Sequence, residues 1–129
     1  MIAVDTNVLV RYVTNDDPEQ ARKAVALLSQ EETVLVAHTV LLELEWVLRS
    51  AYGLDRPRIL GACYAILGLK SVHIDKPMNI ANALSWYGRG MDLGDALHLA
   101  TTDSAERFLT FDRRFAKRGR QQGLSVELV

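Results

Sequence analysis

The chain has 129 residues, fifteen Lys or Arg, sixteen Asp or Glu, a formal net charge of −1, one Cys and 49% hydrophobic residues. One Cys excludes an internal disulfide scaffold, and the length is that of one domain of about 100–200 residues, long enough to bury roughly two-thirds of its unfolded surface unaided. The opening MIAVDTNVLV lacks a basic start and carries Asp5 inside its apolar stretch, against a signal peptide, and no apolar run approaches the ~18 residues of a membrane span, so a soluble cytoplasmic domain is the expectation.

In chain order, Ile2–Val4 reads as a short strand ending at Asp5, and Asn7–Val13 as a short helix with Thr6 near its N-cap. Asp17, Pro18 and Gln20 look like a helix start, with Asp as cap, Pro at the first position and Gln three residues after the cap. Ala21, Ala24, Val25 and Leu28 then recur at helical spacing. Thr33–Ala37 is short, β-branched and apolar after its first residue, as a buried parallel strand is. Thr39–Tyr52 reads as a longer helix stopped by Gly53. Asp55 and Pro57 open another, running to about Leu69. Ser71–Ile74 is a third strand. Pro77 begins a helix that Gly88 and Gly90 end, and Leu93–Ser104 is the next. Arg107–Thr110 is a fourth strand and Ser125–Leu128 a fifth. Strands alternating with helices predict an α/β fold built of βαβ units around a parallel sheet, in one domain spanning residues 1–129.

Charge is unevenly distributed. Residues 1–48 hold three basic and eight acidic groups (−5), residues 49–106 six of each, and residues 107–129 six basic and two acidic (+4). The pattern fits one region for a cation and one for an anionic partner, or plain scatter on a solvated surface.

A parallel α/β sheet takes its ligand at the carboxyl ends of its strands. Asp5 ends the first strand, and Asp112 lies two residues past the fourth. Glu43 stands in the second turn of the helix after the second strand. Asp95 stands in the first turn of the helix before the fourth. All four are thereby placed at one rim. Each also has a plainer reading. An acid after a strand is often a helix cap, although Thr6 and Asn7 offer two other caps beside Asp5, and Asp92 with Asp95 resembles a pair at N-cap and N3 in which Asp92 is the cap. Asp75 likewise reads as a cap.

On a helical wheel of Thr39–Tyr52, Val40, Leu41, Leu44, Val47, Leu48 and Ala51 form the core stripe, and Glu45 and Arg49 form a solvated pair on the far side. Glu43 falls between that stripe and the apolar edge of Leu42 and Trp46, with no cation among its neighbours one turn away, unless it is merely a half-exposed Glu at the rim. Clustered carboxylates repel. A hard divalent ion such as Mg²⁺ or Mn²⁺ relieves the repulsion and activates water toward a phosphate. No His–Cys spacing suggests zinc, and no Gly-rich loop fits a phosphate-binding fingerprint.

Taken in series, IAVDTNVLVR, LLELEWVLR, DLGDALHLATT and LTFDRRF resemble the PIN-domain family, in particular the VapC-like toxins of bacterial toxin–antitoxin pairs. The resemblance covers nearly the whole chain. It implies a three-layer α/β/α fold with a five-stranded parallel sheet in the order 3-2-1-4-5, so that the first and fourth strands are neighbours. It also implies a metal-dependent ribonuclease whose Mg²⁺ or Mn²⁺ is held by Asp5, Glu43, Asp95 and Asp112. Asn7 and Thr110 match supporting positions. Asp92 stands close enough to share the role of Asp95, which is preferred because it precedes the Ala-Leu-His of the motif. By the same resemblance the partners are an RNA substrate, a cognate antitoxin that places a basic side chain among the acids, and a second copy in a homodimer.

Arg113, Arg114, Lys117, Arg118 and Arg120 directly follow Asp112 and are candidates to hold the RNA backbone, the alternative being a solvated helix face; Arg11 is a further candidate. Trp46, Tyr52, Tyr64, Trp86 and Tyr87 offer a dimer face, or simply core. His98 reads as a helix-packing residue before a base, His38 and His73 have no better case, and Cys63 reads as small and buried. Two other functions compete. A phosphatase with Asp5 as nucleophile requires a second acid two positions on, where Asn7 stands. A catalytically inert binding module fits poorly with the presence of all four acids.

Overall fold

The apolar start makes β1 (Ile2–Ala3), and the extended path ends where Asp5 caps α1 (Thr6–Thr14). In the computed structural model, which describes residues 1–129, the chain then runs α2 (Pro18–Ser29), β2 (Val34–Val36), α3 (His38–Ser50), α4 (Arg56–Leu67) and β3 (Val72–Ile74). These elements belong to one compact unit, Met1–Asp75. Its helix starts follow the sequence logic. Asp17 accepts from Gln20 N at 3.1 Å with Pro18 behind it, and Asp55 accepts from Arg58 N at 3.0 Å. Gly53 supplies the left-handed turn after α3, at φ +64°.

All pairing in this unit is parallel, in the order β1-β2-β3, with Ile2 opposite Val34 and Val34 opposite Val72. The Ser71 hydroxyl donates to the Leu28 carbonyl at 2.5 Å, tying the entry of β3 to the end of α2. Leu9, Leu28, Val34, Leu41, Leu44, Leu48, Ile59 and Ile66 are buried there. Val25 is not among them: at 46% exposed it stands outside the narrow stripe of Ala21, Ala24 and Leu28.

The second unit, Lys76–Val129, holds α5 (Pro77–Gly88), α6 (Leu93–Thr101), β4 (Phe108–Thr110), α7 (Arg113–Gln121) and β5 (Val126–Leu128). β4 and β5 pair in parallel, with Phe108 opposite Val126. Three details differ from the sequence reading. Lys76, at φ +51°, is the N-cap of α5 in place of Asp75. α6 stops at Thr101 instead of Ser104, where the hydroxyls of Thr101 and Thr102 bond back to the Leu97 and His98 carbonyls at 2.7 and 2.6 Å, a contact that favours a bend over continuation. The basic run after Asp112 is a regular helix whose buried side is Phe115, Ala116 and Gly119.

The chain is thus α/β with seven helices and wholly parallel pairing. The expected five-strand ladder is instead a three-stranded sheet and a two-stranded one. β1 has only two residues, and both pair with β2. Within each sheet the neighbours agree with the corresponding stretch of 3-2-1-4-5. No helix is long and apolar enough to cross a membrane.

The ring centroids of Phe108 and Phe115 lie 5.2 Å apart, a favourable aromatic spacing. Beside them α7 approaches β5 so closely that a Cβ on Gly119 would lie 2.6 Å from Val126 Cγ2. Gly119→Ala is therefore expected to destabilise. The overpacking cost of ~1–3 kcal/mol exceeds the gain of up to ~1 kcal/mol in helix propensity. Thermal melts should show a drop of about 3–5 °C; an unchanged or higher melting temperature would contradict the packing.

Candidate active site

In the first unit, Asp5 is exposed at the end of the β1 segment, and its Oδ1 accepts from Val8 N at 3.3 Å. It is thus itself the cap that Thr6 and Asn7 were thought to supply. One carboxylate oxygen is used in this way, and Oδ2 is left over. Thr6, 5% exposed, spends its hydroxyl elsewhere, in a short hydrogen bond to Glu43 Oε1. α1 and α3 thereby bring Asp5 and Glu43 to neighbouring positions. Glu43 is exposed, so solvent reaches its carboxylate and no buried partner is required, contrary to the sequence expectation. The acid that α3 does bury is Glu45, 4% exposed and bonded to Arg49 Nε at 2.9 Å, in place of the expected solvated pair. Asn7 lies exposed in the first turn of α1.

Arg11 is committed to its own neighbourhood. Its guanidinium donates to Asp16 at 2.6 Å and to Gln20 at 2.7 Å, and Tyr52 donates to the other Asp16 oxygen at 2.6 Å. The Tyr52 hydroxyl is the first cause holding the Asp16 carboxyl below its ordinary range. His38 Nε2 bonds the Asp75 carbonyl at 2.7 Å, a structural contact.

In the second unit, Asp92 caps α6 through Asp95 N at 3.1 Å, as the sequence spacing indicated. Asp112 caps α7 through Phe115 N at 3.0 Å, while its own N–H donates to Thr110 Oγ1 at 3.0 Å. Thr110 thus fixes the backbone that presents Asp112. Asp95 is half-buried in the first turn of α6. Burial first, and then the charges of Asp92 and Asp112, push its carboxyl above the usual range, while His98 and Arg118 pull it partly back. His98 is exposed, contrary to the packing role expected for it.

A carboxyl whose folded pKa is raised burdens the fold where it is ionised, and the burden lifts as pH falls through that pKa. Asp95→Asn is accordingly expected to raise the melting temperature of the metal-free protein at neutral pH and to leave it unchanged at pH values below the carboxylate range. A melting temperature that falls at neutral pH would contradict the repulsion.

Among the basic residues of α7, Arg113, Arg114 and Lys117 are exposed. Arg118 donates to the Gly90 carbonyl in a short hydrogen bond, and Arg120 Nε donates to the Val126 carbonyl at 2.8 Å. The last two therefore also hold structure. Of the aromatics, Trp46 and Tyr64 are exposed, at 58% and 47%, whereas Tyr87 is core. One contact was missed: Thr6 read only as a cap, and its partner Glu43 is 37 positions away.

Asp5, Glu43, Asp95 and Asp112 offer only carboxylate oxygens, the ligand type a hard divalent cation takes. The cap bonds of Asp5 and Asp112 engage only Oδ1, so each keeps an oxygen to offer. No group of three or more His, Cys, Asp or Glu side chains stands close enough together to hold a metal ion. A family model described as PIN domain matches residues 2–121. No curated protein matches the chain.

Proposed function

The chain belongs to the PIN-domain family, generally a nuclease fold, and on that premise we propose that it is a metal-dependent endoribonuclease, the cytoplasmic toxin of a toxin–antitoxin pair. One observation carries the reading: the family match runs over residues 2–121 and takes in all four acids together. A single domain over 1–129 with its strands in the order 3-2-1-4-5 is part of the same proposal.

In this reading Asp5, Glu43, Asp95 and Asp112 hold Mg²⁺ or Mn²⁺, with Asp92 beside Asp95. A divalent ion held by these residues would supply Lewis-acid activation of a phosphate and of water. The chain's own contribution is orientation. Val8 N holds the Asp5 carboxylate, the Thr6 hydroxyl holds Glu43, and Thr110 and Phe115 N hold Asp112. Asn7 lies beside Asp5 in the first turn of α1. Arg113, Arg114, Lys117 and Arg118 draw the RNA backbone to α7. An antitoxin cation among the acids would silence them, and the exposed Trp46 and Tyr64 suit a homodimer.

The test is incubation of the purified protein with end-labelled single-stranded RNA. Discrete cleavage is expected with Mn²⁺ or Mg²⁺ and none with a chelator. Cleavage that persists in chelator, or none under either ion, would overturn the reading.

A further inference from the structure

Between the turn joining α5 to α6 and one side of α7 lies a hollow of about 470 Å³. Arg89 enters it from the turn, and Arg114, Lys117 and Arg118 enter from the helix. The three helix residues fall within one turn, at i, i+3 and i+4, and so share a face. No carboxylate lines the hollow, and none of the four cations is in an ion pair. Two are nevertheless held. Arg89 Nη1 donates to Gln122 Oε1 at 2.8 Å, and Arg118 Nη1 donates to the Gly90 carbonyl. Gly90, at φ +110°, has no side chain to obstruct that approach; a Cβ there would lie 3.2 Å from the same nitrogen. Both partners are neutral, so they fix the guanidinium groups without cancelling their charge.

Four like charges converging with no carboxylate in the lining repel one another, and of them Arg118 also feels an acid, Asp95. A bound anion removes that cost, and guanidinium groups match the oxygens of phosphate in pairs. We propose that this hollow seats a backbone phosphate of single-stranded RNA, with Arg89 as its second wall. The proposal rests on the ribonuclease reading and deepens it. It separates Arg89, Arg114 and Lys117, which hold the phosphate, from Arg113, which lies outside the hollow, and from Arg120, which is bonded to the Val126 carbonyl.

Binding, measured without metal and therefore without cleavage, tests it. The probe is a fluorescent single-stranded RNA oligonucleotide, titrated by anisotropy across a range of salt. Arg89→Gln, which keeps an amide for Gln122, should weaken binding several-fold and flatten the dependence of log K on log salt by up to ~0.7, the value of the one phosphate contact that the three cations share. Lys117→Gln should do the same. Arg89→Lys keeps the charge and should keep the slope. An Arg89→Gln protein that binds as wild type, with the same slope, overturns the seat while leaving the ribonuclease reading intact. Wild-type protein that binds no RNA overturns the seat, and the ribonuclease reading then stands or falls by the cleavage assay with Mn²⁺ or Mg²⁺. Polyglutamate bound as tightly as RNA, and lost equally in Arg89→Gln, would assign the hollow to an acidic protein instead and overturn the proposal.

Discussion

Asp5→Asn is expected to reduce metal-dependent RNA cleavage by at least about a hundredfold, beyond the ~10–100-fold typical for losing a residue that only orients a metal ligand, while melting as wild type does. The two halves of this expectation separate the two tasks of the side chain. As a cap, Asp5 needs one oxygen to accept from Val8 N, and Asn serves that position as well as Asp. As a ligand, it needs a negative charge, which Asn lacks. Asp112→Asn is expected to follow the same pattern, because its cap bond to Phe115 N also uses a single oxygen. Asp5→Ala is the contrasting variant: it should lose the activity and, in addition, about 1 kcal/mol of stability with the cap. If Asp5→Asn and Asp112→Asn cleave at the wild-type rate, the two acids are helix caps and nothing more. If Asp5→Asn melts well below wild type, its loss of activity says nothing of the metal.

That these residues are both caps and candidate ligands explains why the sequence was hard to read at this point. The local signal of an Asp before a helix is the same for either role, and Asp92, Asp5 and Asp112 all realise the cap. What distinguishes the roles is what the second oxygen meets, which no spacing encodes. Element order was legible because hydrophobic period, Asp caps and Pro starts agree along the chain. α7 was read only as a solvated helix face, one alternative for its five cations, although Phe115, Ala116 and Gly119 carry a helical period beneath them.

The acids of α3 show a different limit. A wheel drawn for one helix assigns a single buried side, and on that basis Glu45 faced water and Glu43 did not. The structure reverses both assignments. α3 is packed by α1 and also by α4. The second neighbour buries the Glu45 side of the helix, and the charge of Glu45 is felt at Cys63 on α4. Two packed partners widen a buried face beyond the stripe of Leu41, Leu44 and Leu48, and which helix supplies the second partner depends on the path of the chain. The Thr6–Glu43 bond was unreadable for the same reason.

Cys63 turns that packing into a measurable quantity. The residue is 1% exposed. Burial first, and the nearby charge of Glu45 second, push its thiol from an ordinary 9.0 to about 12. Alkylation proceeds through the thiolate, and three pKa units lower the thiolate fraction by about a thousandfold. Iodoacetamide at pH 8 is therefore expected to label the native protein at least about a thousandfold more slowly than the same chain in denaturant. Glu45→Gln removes the smaller cause and leaves the larger, so labelling of a folded Glu45→Gln protein should remain slow. Were Glu45 the dominant influence, that variant would label nearly as fast as the unfolded chain. Rapid labelling of the wild type would mean that α4 opens readily from α3. A slow rate that rises with denaturant in step with the loss of helical signal would show instead that Cys63 is reached only when the packing around α3 and α4 is lost as a whole.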